Sequence, residues 1–441
     1  MKKVSIITLG CAKNTNDTEN LAGLLKKQGY ELETDAAKAD AIVVHTCSFI
    51  EAAKKESVQT ILDAVRLRQT TASTGQAQKI FVTGCMVQQH GKEMMLELPE
   101  VDAFLGTGQL AQIPDLLKNP RQRFLDRTNP GGLTDPDAER ELSGGTGPTA
   151  NLRLSEGCSH PCSFCVIPKL RGGLQSRPEE KILAEARGLV AKGIEEIVII
   201  GQDTGDWGND LYKEHRLPSL LRKMREIKNL RWIRLMYMHP HSFSADLMNV
   251  FAESPEIFPY LDMPLQHIDN DLLLDMKRKL GEEDVRRLLD RIHAKLPRLS
   301  LRTTFIVGYP GETEDQFTKL NGFVNEGHFN YMGAFTYSRE ENTPAAVKTN
   351  QIPEEVMKER LEALMSTQFN VAHFKAQKRL GLTETILIED EEGDSVFGRT
   401  SQEAPEVDAV VRLPVKAARA GRFIKAKITG YDSYEFMAEP A

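Results

Sequence analysis

The feature that most constrains this chain is an alternation of short apolar runs with amphipathic helical stretches, repeated over most of its 441 residues. Parallel strands need a crossover between them, so this alternation specifies β/α units with helices covering the sheet. In the first hundred residues, strands are expected at Val4–Leu9, Ala41–Val44, Lys79–Thr83 and Val101–Leu105, with helices over Asp17–Gly29 and Glu51–Leu67. That is a doubly wound parallel α/β domain, and ligands in such sheets bind outside the carboxyl ends of the strands. Between Lys118 and Ala150 the periodicity vanishes while Pro120, Pro130, Gly131, Gly132, Pro136, Gly144, Gly145, Gly147 and Pro148 accumulate, which is linker composition.

The alternation then resumes about six times, with strands expected at Leu152–Leu154, Glu196–Ile200, Trp232–Tyr237, Tyr260–Met263, Leu301–Val307 and Met332–Tyr337. Six β/α units around one core favour a partial, TIM-like (β/α)6 barrel over a complete one. A helical pattern from Pro353 to about Leu380 leads into short runs at Thr383–Ile388, Ala409–Leu413 and Phe423–Ile428, the signature of a small β-barrel. The resulting division is 1–117 for the first α/β domain, 118–147 for a linker, 148–376 for the partial barrel and 377–441 for the small β-barrel.

Composition narrows the function classes. With 40% hydrophobic and 27% charged residues the chain reads as globular, and its net charge of -7 disfavours a protein that grips nucleic acid by electrostatics alone. The apolar stretch Val4–Leu9 is too short for a secretory segment, and no run approaches the roughly 20 residues of a membrane span. A cytoplasmic protein is expected, in which cysteines serve metals or catalysis more often than disulfides.

All six cysteines fall into two triads. Cys158, Cys162 and Cys165 form a C-x3-C-x2-C loop after the first barrel strand, within Ser155-Glu156-Gly157-Cys158-Ser159-His160-Pro161-Cys162-Ser163-Phe164-Cys165. Three thiolates on one loop hold three irons of a 4Fe-4S cluster and leave the fourth open to another ligand. The bland alternative is a zinc knot, for which His160 is the only local fourth ligand. Cys11, Cys47 and Cys85 are far apart in the chain, yet each closely follows the end of an expected parallel strand, and Gly10 and Gly84 precede two of them. Three small buried hydrophobes are the alternative there. Equivalent strand ends point instead to three converging thiols and a second cluster.

C-x3-C-x-aromatic-C after a first barrel strand resembles the motif of radical S-adenosylmethionine enzymes. Together with the three-cysteine α/β domain and the small terminal β-barrel, it makes the whole chain resemble the methylthiotransferase family with its TRAM tail domain. The motifs that carry the resemblance are Gly10-Cys11-Ala12-Lys13-Asn14, Thr46-Cys47-Ser48-Phe49-Ile50, Gly84-Cys85-Met86-Val87-Gln88 and Pro168-Lys169-Leu170-Arg171-Gly172. His45 departs from the Asn usual before Thr-Cys, which puts only a neighbouring hydrogen bond in doubt.

The resemblance implies that Cys158, Cys162 and Cys165 hold the cluster that cleaves S-adenosylmethionine after one-electron reduction. It implies further that Cys11, Cys47 and Cys85 hold the cluster that donates sulfur, and that a second S-adenosylmethionine supplies methyl. Leu261-Asp262-Met263-Pro264-Leu265-Gln266-His267 and Phe335-Thr336-Tyr337-Ser338 look like the branch that modifies an aspartate β-carbon of ribosomal protein uS12 in the small ribosomal subunit. Partners would then be that protein and a one-electron reductant. From Gln377 to Ala441 nine Lys and Arg face twelve Asp and Glu, a balance that suits a basic ribosomal protein better than tRNA.

Gly201 and Gln202, closing the second barrel strand, are candidates for the cofactor's ribose or amine, and Gly308, closing the fifth, for its adenine. Gly201 as a plain turn is an equally serious reading, and Arg171 faces either a carboxylate or solvent. His239, His241 and His267 have no ligand spacing and read as packing or surface residues. The rival functions are a tRNA adenosine methylthiotransferase with the same two clusters, a non-catalytic iron-sulfur electron carrier and an RNA-binding scaffold.

Overall fold

The computed structural model describes residues 2–72, 78–118, 123–128, 140–142, 147–414 and 421–441. By internal contacts the chain divides into two compact units, one of Met1–Gly144, Ser155–His160 and Val166–Gln175, the other of Gly145–Leu154, Pro161–Cys165 and Ser176–Ala441.

The first unit is built on a six-stranded sheet of β1 (Lys3–Thr8), β2 (Glu31–Leu32), β3 (Ala41–Thr46), β4 (Lys79–Gly84), β5 (Ala103–Leu105) and β6 (Phe124–Asp126), in the order β2-β1-β3-β4-β5-β6. Every pairing is parallel. One face packs Val4, Val43 and Phe81 against Leu21, Leu25 and Ile113; the other packs Ile42, Val44 and Val82 against Ile61, Val65 and Val87. Both faces are covered, so β3 and β4 read as continuous Val and Ile runs and the sheet is doubly wound as expected.

Two strands escaped the sequence reading. β2 is two residues long, and β6 lies inside the segment assigned to linker, where Phe124 packs on the core. The Pro and Gly positions that suggested that linker, Pro120, Pro130, Gly131, Gly132, Pro136, Gly144 and Gly145, lie outside the described residues, as do residues 415–420 of the tail.

In the second unit, β7 (Thr149–Arg153) opens the barrel. The two-residue strand β8 (Ser155–Glu156), which belongs to the first unit, and β9 (Gln175–Ser176), at the boundary between the units, bracket the cysteine loop, and in the second unit β10 (Glu196–Ile200), β11 (Trp232–Leu235), β12 (Tyr260–Asp262), β13 (Ser300–Val307) and β14 (Tyr331–Thr336) follow. The sheet order β14-β13-β12-β11-β10-β7 is sequential, parallel and open, a six-stranded partial barrel. All six strands fall where the apolar runs placed them.

The helix Glu354–Gln377 leads to a closed five-stranded barrel of β15 (Thr383–Glu392), β16 (Ser395–Thr400), β17 (Val410–Pro414), β18 (Phe423–Asp432) and β19 (Glu435–Pro440). Closure removes exposed strand edges, the usual hazard of a small all-β module.

The segment after β16 meets the amino ends of the parallel strands. Ser300 Oγ donates to Gln402 O at 2.7 Å, Tyr331 OH to Glu403 at 2.7 Å and Tyr260 OH to Asp408 at 2.6 Å. Arg234 donates to Thr400 O at 3.0 Å and Ser401 O at 2.8 Å. Glu196, fully buried, takes both Arg234 and Arg399. Burial would raise its carboxyl, but the two guanidiniums hold it down to about 2. The opposite, carboxyl ends of the strands are thereby left for chemistry.

Candidate functional site

β1, β3 and β4 are neighbours in register, with Thr8 beside His45 and Thr46 beside Gly84. Cys11, Cys47 and Cys85 therefore emerge at one end of three adjacent strands, where the chain leaves the sheet. Cys11 caps the helix Ala12–Lys27 and Cys85 begins the helix Cys85–Glu97. Gly10, with φ of 91°, permits the approach: a Cβ there would lie 2.6 Å from Cys47 Cβ and 2.8 Å from its Sγ.

Cys47 and Cys85 are buried and Cys11 is partly open. Burial pushes the Cys47 thiol up to about 11, and Cys11 and Cys85 repel its thiolate further. Burial likewise raises Cys85, against the pull of Arg171. This mutual repulsion is the mark of convergence, and it is a state that bound iron, which requires thiolates, would reverse. Among the described residues no three Cys, His, Asp or Glu stand close enough to share a single ion.

Beside the triad lies Arg171, 1% exposed. Its guanidinium donates to Asn14 Oδ1 at 2.7 Å, Asp17 Oδ2 at 3.2 Å and Glu156 Oε1 at 3.0 Å. Although burial disfavours the charge, Glu156, Cys85, Asp17 and Cys11 together keep it well above its ordinary range. Of the two readings left open for Arg171, the carboxylate holds, and the residue stands only six positions after Cys165. His45, also fully buried, has its Nε2 3.7 Å from Asp17 Oδ2.

The radical-type loop is split between the units. In the first, Cys158 N donates to Gly172 O at 3.1 Å, and His160 N lies 3.5 Å from Cys158 Sγ. In the second, the Cys162–Cys165 turn is closed by a 3.2 Å backbone bond and gripped through buried Ser163. Ser163 N donates to Met276 O at 3.2 Å and its Oγ to Asp275 O at 2.8 Å, with Tyr309 OH 2.9 Å away. Phe164 packs with Leu272, Tyr309 and Tyr337. Arg278 Nη1 donates to Cys162 Sγ at 3.7 Å.

Gly201 and Gln202 sit directly after β10, the former buried and the latter half-buried. Gly308 follows β13 with φ of 74°, and Met357 Cγ lies 2.1 Å from where its Cβ would be. The missing side chain thus makes room for Met357. His267 is buried packing, as its lack of ligand spacing suggested, while His239 caps the short turn Pro240–Ser242.

Sequence reasoning missed Asn14, Asp17, Glu156, Ser163, Arg278 and Tyr309. The first two lie in the opening turns of the helix Ala12–Lys27, which bury Lys13, Asn14, Asn16, Asp17, Thr18 and Glu19, and that burial of polar side chains, which the sequence does not show, marks a place where something is held.

Family models match the chain at residues 3–106 (uncharacterized protein family UPF0004), 152–324 (radical SAM superfamily) and 380–440 (TRAM domain). Among the solved structures that share the fold are two with high coverage of this chain. They are the radical S-adenosylmethionine methyltransferase TsrM from Kitasatospora setae, at TM-score 0.57 and 14% identity over 79% of this chain and 75% of that one, and the cobalamin-dependent radical enzyme OxsB, at TM-score 0.52 and 13% identity over 83% and 56%. An open six-stranded barrel bearing this cysteine loop defines the class: a radical S-adenosylmethionine enzyme.

Full-length relatives narrow it. Proteins named ribosomal protein uS12 methylthiotransferase RimO are 41% identical in Heliobacterium modesticaldum (99% of this chain, 95% of the relative) and 40% in Clostridioides difficile (100% and 99%). The chain belongs to the RimO family of methylthiotransferases.

Proposed function

We propose that this chain adds a methylthio group to an aspartate β-carbon of ribosomal protein uS12. The observation that carries the reading is the match at about 40% identity, end to end, to relatives named for that substrate. The non-catalytic carrier and the tRNA enzyme are not favoured by it, and the acidic tail domain agrees.

Cys158, Cys162 and Cys165 would hold one 4Fe-4S cluster and Cys11, Cys47 and Cys85 the other. When bound, the first with S-adenosylmethionine supplies radical chemistry and the second supplies sulfur. The protein's own contribution is positional. Ser163 and Tyr309 fix the turn between Cys162 and Cys165, so that two ligands of the radical cluster are held before iron arrives. Arg171 places a permanent positive charge beside the sulfur-side thiols and ties the segment after Cys165 to Asn14 and Asp17. We assign Gly201 and Gln202 to the cofactor's polar end, and Gly308, flanked by Met357, to the surroundings of its adenine. We place the protein in the cytoplasm, where its substrate is made; among the described residues no helix is long and apolar enough to cross a membrane.

The test is product mass. The reconstituted enzyme should add a methylthio mass to uS12, or to a peptide of its modified loop, and none to tRNA; modification of tRNA alone would sink the assignment. Cys162→Ala should abolish release of 5′-deoxyadenosine.

A further inference from the structure

The segment Asp275–Arg278, just past the helix Asn270–Asp275, does more than clamp Ser163. Arg278 lies half-buried across it, with Nη2 donating to Pro264 O at 2.7 Å. Its Nη1 reaches Cys162 Sγ at 3.7 Å. Its Nε is enclosed and has no hydrogen-bond partner among the described residues. No carboxylate pairs with this guanidinium among them, unlike the buried Arg171, Arg234 and Arg399, each of which has one.

Arginine stays charged in any protein setting, so a half-buried guanidinium whose Nε is enclosed and which has no anion beside it carries a desolvation cost. Of its hydrogen-bond partners among the described residues, Pro264 O and Cys162 Sγ, only Cys162 becomes an anion, and its thiolate is a ligand in the radical-cluster reading above, on which this inference rests. We propose that Arg278 is a positioning residue that sets the reduction potential of the Cys158, Cys162, Cys165 cluster: it donates to the Cys162 thiolate and offsets the negative charge gained on one-electron reduction.

The direction follows from electrostatics. Reduction adds one electron to the cluster, so a fixed cation and an N–H···S bond stabilise the reduced form more than the oxidised one. Removing both makes reduction harder. Arg278→Met should disfavour reduction at least tenfold, which is about 59 mV for a one-electron couple. Arg278→Lys keeps the charge but loses the planar fork anchored on Pro264, and should shift the potential part of the way.

The experiment is an anaerobic, EPR-monitored redox titration of the full-length reconstituted protein, with iron counted in each variant. The radical cluster is recognised as the signal that changes when S-adenosylmethionine is added. A wild-type protein with no such signal overturns the cluster reading itself, and this inference with it. If the signal is present and Arg278→Met titrates with wild type, or only the unresponsive cluster shifts, Arg278 has no such role. If Arg278→Met does not retain iron, Arg278→Lys decides: a lowered potential supports the assignment and an unchanged one overturns it.

Discussion

At the scale of single residues, the protein places several charges where burial opposes them and gives Arg171, Arg234 and Arg399 carboxylate partners. Arg171 neutralises Asp17 and Glu156 inside the first unit. Arg171→Met leaves two buried carboxylates without a counter-charge and should cost about 3–5 kcal/mol in urea unfolding of the metal-free protein. Adding Asp17→Asn should recover part of that loss. His267 shows the opposite solution, a buried imidazole kept neutral: burial pulls its pKa down to about 4. The unfolded chain takes up that proton near pH 6.5, before the folded one does. Its contribution is therefore complete above about pH 6.5 and is lost as pH falls through about 4, a swing of about 3 kcal/mol. His267→Asn should flatten the fall in the urea midpoint between pH 7 and 4.5, and an unchanged slope would show that another group carries it. Neither partner set was legible in the sequence. In the sequence Arg171 suits a carboxylate and solvent alike, because periodicity tells which face of an element is apolar and not which distant group answers a charge.

At the scale of elements, long apolar runs were legible and short or polar ones were not. β3, β4, β10 and β13 are where their apolar and β-branched residues placed them, but β2 and β6 are too short to show a period. The first helix begins at Ala12 rather than Asp17, since its opening turns bury polar side chains and so lack an amphipathic pattern. The strands β16 and β19 were missed in the tail, where closure into a barrel sets pairing that alternation alone does not specify. The contact of the tail segment with the amino ends of β10 to β14 makes its own prediction. Arg234→Met strips Glu196 of one partner and frees the Thr400 and Ser401 carbonyls. Amide exchange at residues 399–408 should speed by at least tenfold while the strand cores of the sheet stay protected; protection that persists would mean the seam is held by Arg399 and packing alone.

At the scale of the whole molecule, the two triads divide the labour, and variants should separate them. Replacing Cys11, Cys47 and Cys85 by Ala should lower iron from about eight to about four per chain, keep 5′-deoxyadenosine release and abolish the methylthio product. Retention of that product would mean the sulfur comes from elsewhere. The sequence alone determined the two runs of β/α units, the six-stranded barrel and the positions of all six cysteines, because these follow from local periodicity and spacing. Tertiary structure decided the rest. It set Arg171 against Asp17, 154 positions away, Arg399 against Glu196, 203 away, and Arg278 against Cys162, 116 away. The physical reason is that apolar burial depends on pattern, which neighbours in sequence share, whereas a buried charge depends on one specific partner, which only the folded chain brings within reach.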